Sequence, residues 1–506
     1  MIDVPDEIWQ HIFSNFEDYM PLKNWWMYGA QLNRECSRNL HSLSQVSRRF
    51  RRLAHSFLHR TLLLEGGDNE VRVQILLLRA LSEDPELGQH VRNVSFDDST
   101  GSPRRLSSTL ARVPVESILR KALEPLNLPP STTKWLEKSI SDGCAFGTLA
   151  VAYMAKLQFV DCTVARVESP LPFMLSGRLG VEDGMLIQLD REEEGHEDDH
   201  QDNDKTNHKH APMITGKMSA AYSFPNLTEV RIRAGRSEAV LSAFVIEPIL
   251  LHPTLKRLRT FGIEWTGDTS RQLRWPSRAS NLQCLDLKES VIDATGLRSV
   301  LTRCPNLKGL SIELAPWSRV EDREEDRWIV NFDDFSDVLR QFGRGLEEFG
   351  IHTIDSSFNY FTEGRLGLLQ PLSSLKHLEI DKEVLLGVVR EPGDEVNRPA
   401  FRFDEALPPS LQTLYLHCSN NNFGEYRYNN RRQVVNEEIH DLVIQDKLPN
   451  LREIQVERCY NKTGEGEWDP ELKVDGWEVS VRNEHLWETY DSSGCMRTIL
   501  TLSRRI

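Results

Sequence analysis

The side chains best suited to binding chemistry are charged and aromatic residues at fixed positions of a short recurring pattern. The pattern is an apolar residue, two variable residues, an apolar residue, one variable residue and a last apolar residue, as in Leu227, Val230 and Ile232. The variable residue between the last two apolar positions, and the residue that follows them, alternate with the apolar ones and should therefore face away from the core. These positions hold Arg231, Arg233, Asp286, Lys288, Ser311, Glu313, Gly350, His352, Glu379, Asp381, Tyr415, His417, Gln455 and Glu457.

This set begins basic, turns acidic along the chain and includes one tyrosine. Such a strip would bind a folded protein of complementary charge, since electrostatic complementarity sets specificity and the rate of encounter. Tyr415 is the expected anchor, because tyrosine is enriched in interface hot spots. The alternative is an ordinary polar strand surface without a partner. The candidates for contact with a target protein are Arg231, Arg233, Asp286, Lys288, Glu313, His352, Asp381, Tyr415, His417 and Glu457.

Motifs for catalysis are missing from the sequence. It has no Gly-x-Ser-x-Gly, no Walker phosphate loop and no His-Glu-x-x-His. His196, His200, His208 and His210 lie in an acidic stretch and would suit a metal, but nothing fixes their geometry, and a solvated loop is the favoured interpretation. We expect a protein that is not an enzyme and has no metal or cofactor. An enzyme whose site is assembled from distant residues is the remaining alternative.

The candidate residues must be positioned by repeated strands. One short strand is not stable alone, but strands stacked side by side bury one continuous core. Helical patterns fill the gaps between copies. One has an apolar face of Val240, Leu241, Phe244 and Val245, and another has Leu297, Val300 and Leu301. The sequence therefore predicts an α/β fold with parallel strands inside and helices outside. The first apolar residue of each copy is Leu227, Leu258 (preferred over Leu255), Leu282, Leu307, Leu346, Leu375, Leu411 and Leu451.

Copies before residue 220 are more widely spaced. The long gaps indicate insertions or degenerate units. We predict strands at His59–Glu65, Val91–Phe96 and Met154–Phe159, and helices at Asn69–Ser82, Val115–Leu123 and Thr133–Ile140.

Residues 1–62 lack the repeat pattern and show helical spacing of apolar residues instead. Pro5 and two acidic residues open a helix in which Ile8 and Ile12 recur at helical spacing. A second helix is predicted over residues 40–54, with one apolar stripe that includes Val46 and Phe50. Composition alone indicates a small helical module, and one alternative is a helical cap on the repeats.

The same residues resemble the F-box, a helical module of Leu-Pro-x-Glu-Ile-x-x-x-Ile-Phe followed by Leu-x-x-Val-Ser-x-x-Phe/Trp-x-x-Leu. Val4 replaces the usual leucine, and residues 17–39 are extra sequence, expected as an inserted loop. The matching residues are Pro5, Glu7, Ile8, Ile12, Phe13, Leu43, Val46, Ser47, Arg48, Phe50 and Leu53. An F-box docks a Skp-type adaptor, and the resemblance implies adaptor contacts at Pro5, Ile8, Ile12, Leu43, Val46, Ser47 and Phe50.

The remainder resembles the irregular leucine-rich repeats that follow the F-box in many fungal-type F-box proteins, which implies a horseshoe-shaped solenoid. Together the two resemblances imply the substrate-recognition subunit of a cullin–RING (SCF-type) ubiquitin ligase, with an unknown target protein. The alternative is a leucine-rich-repeat scaffold, or an F-box protein that acts outside a ligase. The expected domains are 1–62, 63–467 with a disordered acidic insertion at about 190–215, and a C-terminal cap at 468–506. Within the cap we expect a closing strand at Gly476–Val481, with Trp487 and Tyr490 covering the end of the core.

Composition narrows the class of partner. The formal charge of −15 over 506 residues argues against general binding of nucleic acid or anionic membranes. No apolar run approaches the roughly 18 residues of a membrane span. The N-terminus lacks the pattern of a secretory signal, and the eight cysteines contain no Cys-x-x-Cys pair. We therefore expect a cytoplasmic or nuclear protein with reduced thiols.

Overall fold

The computed structural model describes residues 4–16, 30–64, 70–97, 114–126, 133–134, 136–137, 146–164, 169, 171–175, 224–234, 240–273, 279–315, 328, 330–353, 362–387, 402–418, 439–444, 446–459, 475–485 and 496–505. The chain is mixed α/β and divides into two compact units. The first comprises Met1–Gly235 and Phe244–Lys256, and the second Arg236–Ala243 and Arg257–Ile506. Within the described ranges, no helix has the length and apolar character that crossing a membrane requires.

Helices and short strands alternate along both units. The α-helices are Asp6–Ser14 (α1), Ala30–Val46 (α2), Arg48–Leu58 (α3), Glu70–Glu83 (α4), Val115–Leu123 (α5), Phe146–Val151 (α6), Leu171–Leu175 (α7), Ala243–Leu250 (α8), Gly267–Arg271 (α9), Ala294–Arg303 (α10), Phe332–Phe342 (α11), Lys382–Leu386 (α12) and Phe403–Ala406 (α13), with a further helical stretch at 439–444. The strands are Thr61–Leu64 (β1), Asn93–Asp97 (β2), Phe159–Val164 (β3), Glu229–Ala234 (β4), Leu241–Ser242 (β5), Arg257–Phe261 (β6), Ile263–Trp265 (β7), Cys284–Ile292 (β8), Gly309–Leu314 (β9), Val330–Asn331 (β10), Glu348–Thr353 (β11), Thr362–Glu363 (β12), His377–Asp381 (β13), Thr413–Cys418 (β14), Glu453–Cys459 (β15), Trp477–His485 (β16) and Met496–Arg504 (β17).

The N-terminal module has three helices where the sequence predicted two. The predicted helix over residues 40–54 is wrong, because α2 ends at Val46 and α3 begins at Arg48. Ser47 between them is extended, with φ −158°, and its hydroxyl accepts a hydrogen bond from the N–H of Phe50 at 3.0 Å. Serine at an N-cap satisfies a helix-terminal N–H and so separates the two helices. Residues 30–39, expected in the inserted loop 17–39, are the first part of α2.

These helices share a small apolar core. Phe13, Leu40, Leu53 and Ala54 are buried, and partly buried side chains such as Phe50 pack against them. The rings of Phe13 and Phe50 meet edge to face with centroids 5.4 Å apart. The core therefore joins all three helices and fixes which of their side chains face outward.

The first unit contains four parallel strands in the order β1-β2-β3-β4. The predicted strand at Met154–Phe159 is wrong, because β3 begins at Phe159. The N–H of Leu157 donates to the carbonyl of Met154 at 3.1 Å, so that segment is the turn before the strand. Leu157 is thus the first apolar residue of this copy, and Val160 and Cys162 are the buried strand residues.

The second unit contains a large, mostly parallel sheet in the order β6-β8-β9-β11-β13-β14-β15-β17-β16. The register places the strand apolar positions in two buried rows across the parallel part. This arrangement confirms the predicted α/β class with parallel strands. One row contains Leu258, Leu285, Leu310, Phe349, Leu378, Leu414 and Ile454, and the next contains Thr260, Leu287, Ile312, Ile351, Ile380, Leu416 and Val456.

The preference for Leu258 as the first residue of its copy is wrong. Leu258 pairs with Leu285, a strand residue, so Leu255 is the first residue of that copy. The N–H of Leu255 donates to the carbonyl of His252, three residues earlier, at 3.3 Å. The same turn precedes Leu307 and Leu346, at 3.0 Å in both cases. The polar Thr260 occupies the second strand position, and its side chain obscured the pattern.

Two further expectations have different outcomes. Val240 to Val245 was predicted to form a helical face, but Leu241–Ser242 is a strand that pairs with β7, and α8 starts at Ala243. The closing strand predicted near Trp477 is confirmed as β16, which pairs antiparallel with β17. Trp487 and Tyr490, predicted to cover the end of the core, lie outside the described residues, as does the acidic insertion at about 190–215.

Candidate functional site

Several apolar side chains of the N-terminal module face outward. Ile8 and Ile12 on α1 are 51% and 38% exposed, and Val46 at the end of α2 is 67% exposed. Ile8 and Ile12 are four residues apart and so lie on one face of their helix. Pro5 and Ser47 are also exposed. Five of the seven implied adaptor contacts are therefore accessible on the module.

The other two implied contacts belong mainly to the module itself. Leu43 and Phe50 are partly buried and pack against the core cluster. An apolar stripe on a helix can include residues that face the core and residues that face outward. The spacing of apolar residues in the sequence does not distinguish the two kinds.

An acidic residue ties the first helix to the third. The carboxylate of Asp6 lies 2.6 Å from Nη2 of Arg49 and 2.7 Å from Nη2 of Arg52. The hydrogen bond from Arg49 and the charges of both arginines outweigh desolvation and lower the pKa of Asp6 below its ordinary value. These contacts hold the outward face of α1 beside the start of α3.

The strand residues predicted to face solvent lie on the polar face of the sheet, but most of them are buried. Six are only 1% to 8% exposed, and the expectation that they are accessible is wrong. Contacts with ionisable side chains of neighbouring strands cover four of them, Arg233, Lys288, Glu313 and His352. The buried residues are Arg231, Arg233, Lys288, Glu313, His352 and Asp381, whereas Asp286, Tyr415 and His417 are half-buried. The side chain of Glu457 lies outside what the structure describes.

In the first unit, two arginines of β4 are held by acidic neighbours. Nη2 of Arg233 lies 2.9 Å from Oδ1 of Asp161 on β3, and both side chains are buried. Nη2 of Arg231 lies 3.0 Å from Oε1 of Glu229, and its guanidinium carbon is 4.8 Å from the centroid of the Phe159 ring. A charge paired in this way can stay ionised away from water. These arginines stabilise strand pairing and leave little of their charge for a partner.

In the second unit, a series of polar contacts runs across five strands, β8, β9, β11, β13 and β14. Nζ of Lys288 on β8 lies 3.2 Å from Oε2 of Glu313 on β9, and Nε2 of His352 on β11 lies 3.3 Å from the same oxygen. Burial raises the pKa of Glu313, but the charge of Lys288 and the hydrogen bond from His352 outweigh it and lower the pKa to about 2. Glu313 is therefore a carboxylate held between a cation and an imidazole.

The last members of this series of polar contacts are two histidines on either side of a carboxylate. Oε1 of Glu379 lies 2.9 Å from Nε2 of His417 and 3.9 Å from Nδ1 of His352. The two imidazole rings stack with centroids 4.3 Å apart, and the Tyr415 ring lies 4.8 Å from that of His417. Desolvation opposes ionisation of Glu379, but the hydrogen bond from His417 and the nearby charges keep its pKa well below the ordinary value. His352, Glu379 and His417 together offer a set of atoms that suits a metal ion.

Sequence reasoning missed some members of this face. Asp161 was missed because β3 was placed too early, although Leu157, Val160 and Cys162 follow the repeat pattern. Arg259, whose Nε lies 2.6 Å from Oδ2 of Asp286, was missed with the register of β6. In both cases the apolar pattern, once placed correctly, identifies the polar position.

Comparison with known proteins assigns no family. The sequence matches no protein-family model and no curated protein.

Proposed function

We propose that this chain is the substrate-recognition subunit of a cullin–RING (SCF-type) ubiquitin ligase, with an F-box followed by a leucine-rich-repeat solenoid. The observation that carries the proposal is the exposure of Ile8, Ile12 and Val46 on a module whose core is made by other residues. Exposed apolar side chains on one face, as Ile8 and Ile12 are on α1, are typical of a binding site. The resemblance to the F-box places contacts with a Skp-type adaptor at these positions.

The repeated strands support the second half of the proposal. Five copies of the second unit have matching strand register, two buried apolar rows and a hydrogen-bonded turn at the first leucine. They begin at Leu307, Leu346, Leu375, Leu411 and Leu451. Stacked units of this kind are typical of a leucine-rich-repeat solenoid. In this proposal the target binds the accessible part of the polar face, where Asp286, Tyr415 and His417 are half-buried. Ubiquitin transfer takes place on other subunits, and this chain brings the target close to them.

Binding of the full chain to a purified Skp-type adaptor tests the proposal. An Ile8→Asp/Val46→Asp variant places charges at two of the exposed apolar positions and is expected to weaken binding at least about 100-fold. A Val73→Asp/Leu76→Asp variant is the matched control, because both residues are 44% exposed and lie on α4. The control should bind as the wild type does.

Circular dichroism of all three proteins establishes that the module is folded. Absence of binding by the folded wild-type chain would overturn the proposal, and a leucine-rich-repeat scaffold would replace it. Equal binding by the Ile8→Asp/Val46→Asp variant would show that the adaptor contacts another surface.

A further inference from the structure

We propose that His352, Glu379 and His417 form a binding site for a divalent transition-metal ion such as Zn²⁺. The three groups project from neighbouring strands in the order β11-β13-β14, with the carboxylate on the middle strand. One ligand atom of each lies within 4.8 Å of the others. The proposed ligands differ from the four histidines considered in the sequence, and the site does not depend on the ligase function.

The tautomer of His352 is the strongest argument for a bound cation. A carboxylate only accepts hydrogen bonds, so Glu313 at 3.3 Å places the proton of His352 on Nε2. This leaves a lone pair on Nδ1. His352 is 6% exposed, and its Nδ1 is a buried polar atom without a hydrogen-bond partner. An unpaired buried acceptor is unfavourable unless something positive meets it.

Nδ1 of His352 faces another acceptor. Oε1 of Glu379 is 3.9 Å away, too far for a hydrogen bond even if Nδ1 carried a proton. Two electron-rich atoms at this separation are well placed to share an ion, because ligands about 2.1 Å from a tetrahedral Zn²⁺ lie about 3.4 Å apart. A small movement of either side chain brings both into coordination distance.

The surroundings match those of metal-binding histidines. Such a histidine usually donates its other ring N–H to a carboxylate, which fixes the ring and raises its basicity. Glu313 supplies this contact to His352 and is itself held by Lys288. The charges of Lys288, Glu313 and Glu379 leave a net negative site, which favours a cation.

The donor set indicates the class of ion. Two imidazoles and one carboxylate suit Zn²⁺, Co²⁺ or Ni²⁺ rather than Ca²⁺ or Mg²⁺, which prefer oxygen ligands. Nε2 of His417 now donates to Glu379, and the ring would bind the ion as the other neutral tautomer, with its proton transferred through solvent from Nε2 to Nδ1. Three protein ligands leave a fourth position for water or for a group of another molecule.

Zn²⁺ titration of the full chain without an affinity tag tests the site. The starting protein for all variants, called the parent protein, is the full chain with four substitutions that remove the competing histidines of the insertion. They are His196→Asn, His200→Asn, His208→Asn and His210→Asn. Isothermal titration with ZnCl₂ should give one ion per chain. Replacing Zn²⁺ by Co²⁺ should give the visible absorption of a cobalt ion with nitrogen and oxygen ligands.

Single variants of the parent protein locate the site. Glu313→Gln should weaken Zn²⁺ binding about 10- to 100-fold, as loss of an outer-shell partner does. Glu379→Gln and His417→Gln each remove a ligand and should weaken it further. His377→Gln is the matched control, because His377 is an exposed histidine of β13 outside the cluster, and it should leave binding unchanged.

Two results would overturn the proposal. One is a parent protein that shows no saturable Zn²⁺ binding. The other is a Glu379→Gln variant that binds as tightly as the parent. Because Glu379→Gln nearly preserves shape and its side chain is 43% exposed, this variant should stay folded, and thermal melts establish that it does.

Discussion

Oε2 of Glu313 lies 3.3 Å from Nε2 of His352 on the next strand of the sheet. The same oxygen lies 3.2 Å from Nζ of Lys288 on the strand at the other side. Glu313 thus neutralises a largely buried cation and orients a buried imidazole at once. The polar face of this sheet is held together by such shared acceptors.

Removing this carboxylate should destabilise the fold. Glu313→Ala leaves Lys288 without its acidic partner in a buried position, and breaking a buried pair in this way costs about 3–5 kcal/mol. Urea denaturation followed by circular dichroism measures the free energy of unfolding. Glu347→Ala is the control, because Glu347 pairs with Lys308 and Lys376 at the surface and exposed pairs contribute little. Similar losses in the two variants would contradict this account.

Stability should also fall in acid through Glu313. Its pKa is about 2 in the folded protein and 4.5 as an ordinary glutamate. A lowered folded pKa contributes stability that is complete above the unfolded value and is lost as pH falls through the folded one. The free energy of unfolding of the wild type should therefore decline between about pH 4.5 and 2 more steeply than that of Glu313→Gln. Parallel pH profiles for the two proteins would refute the assignment.

The repeat pattern predicted the core well and the polar face poorly. Leu285, Leu310 and Leu414 lie in one buried row, as the period of two requires, because each strand alternates its side chains. The same period assigns Glu313 and His352 to the opposite face but says nothing about their burial. Whether a polar strand residue is exposed depends on its neighbours across the sheet, which are distant in sequence.

The helix and strand boundaries that were predicted wrongly have local causes. Ser47 ends one helix and starts another, although its flanking apolar residues fit a single helical stripe. Thr260 interrupts the apolar pattern of β6. The sequence-based prediction therefore started the copy at Leu258, three residues later than the structure shows. The meeting of His352, Glu379 and His417 combines three strands separated by tens of residues. No spacing rule within one strand predicts that cluster.

The break at Ser47 makes a distinct prediction. Ser47→Ala removes the hydroxyl that accepts the N–H of Phe50 and should destabilise the N-terminal module by about 1 kcal/mol. Ser47→Asp keeps an acceptor at the N-cap and should retain the stability of the wild type. Hydrogen exchange of the first amides of α3 measures the local effect. Equal protection in Ser47→Ala and the wild type would show that the cap does not hold this helix.

A close approach between a helix and a strand gives the last prediction. Gly296 lies in the first turn of α10, where its N–H donates to Oδ1 of Asp293 at 2.7 Å. A Cβ at Gly296 would overlap the backbone carbonyl of Trp265, which belongs to β7. The backbone of β7 cannot change rotamer as a side chain can, so the new methyl group should displace α10. We expect Gly296→Ala to lower the free energy of unfolding by about 3 kcal/mol or more.

Gly345 is the matched control for this variant, because a Cβ there would meet no atom within 4 Å. Gly345→Ala should leave the free energy of unfolding unchanged or raise it slightly, since alanine restricts the unfolded chain. Thermal and urea unfolding of both variants measures the difference. A Gly296→Ala protein as stable as Gly345→Ala would mean that α10 can move away from Trp265 at little cost. The helix would then be a loosely attached element rather than one seated on the strand.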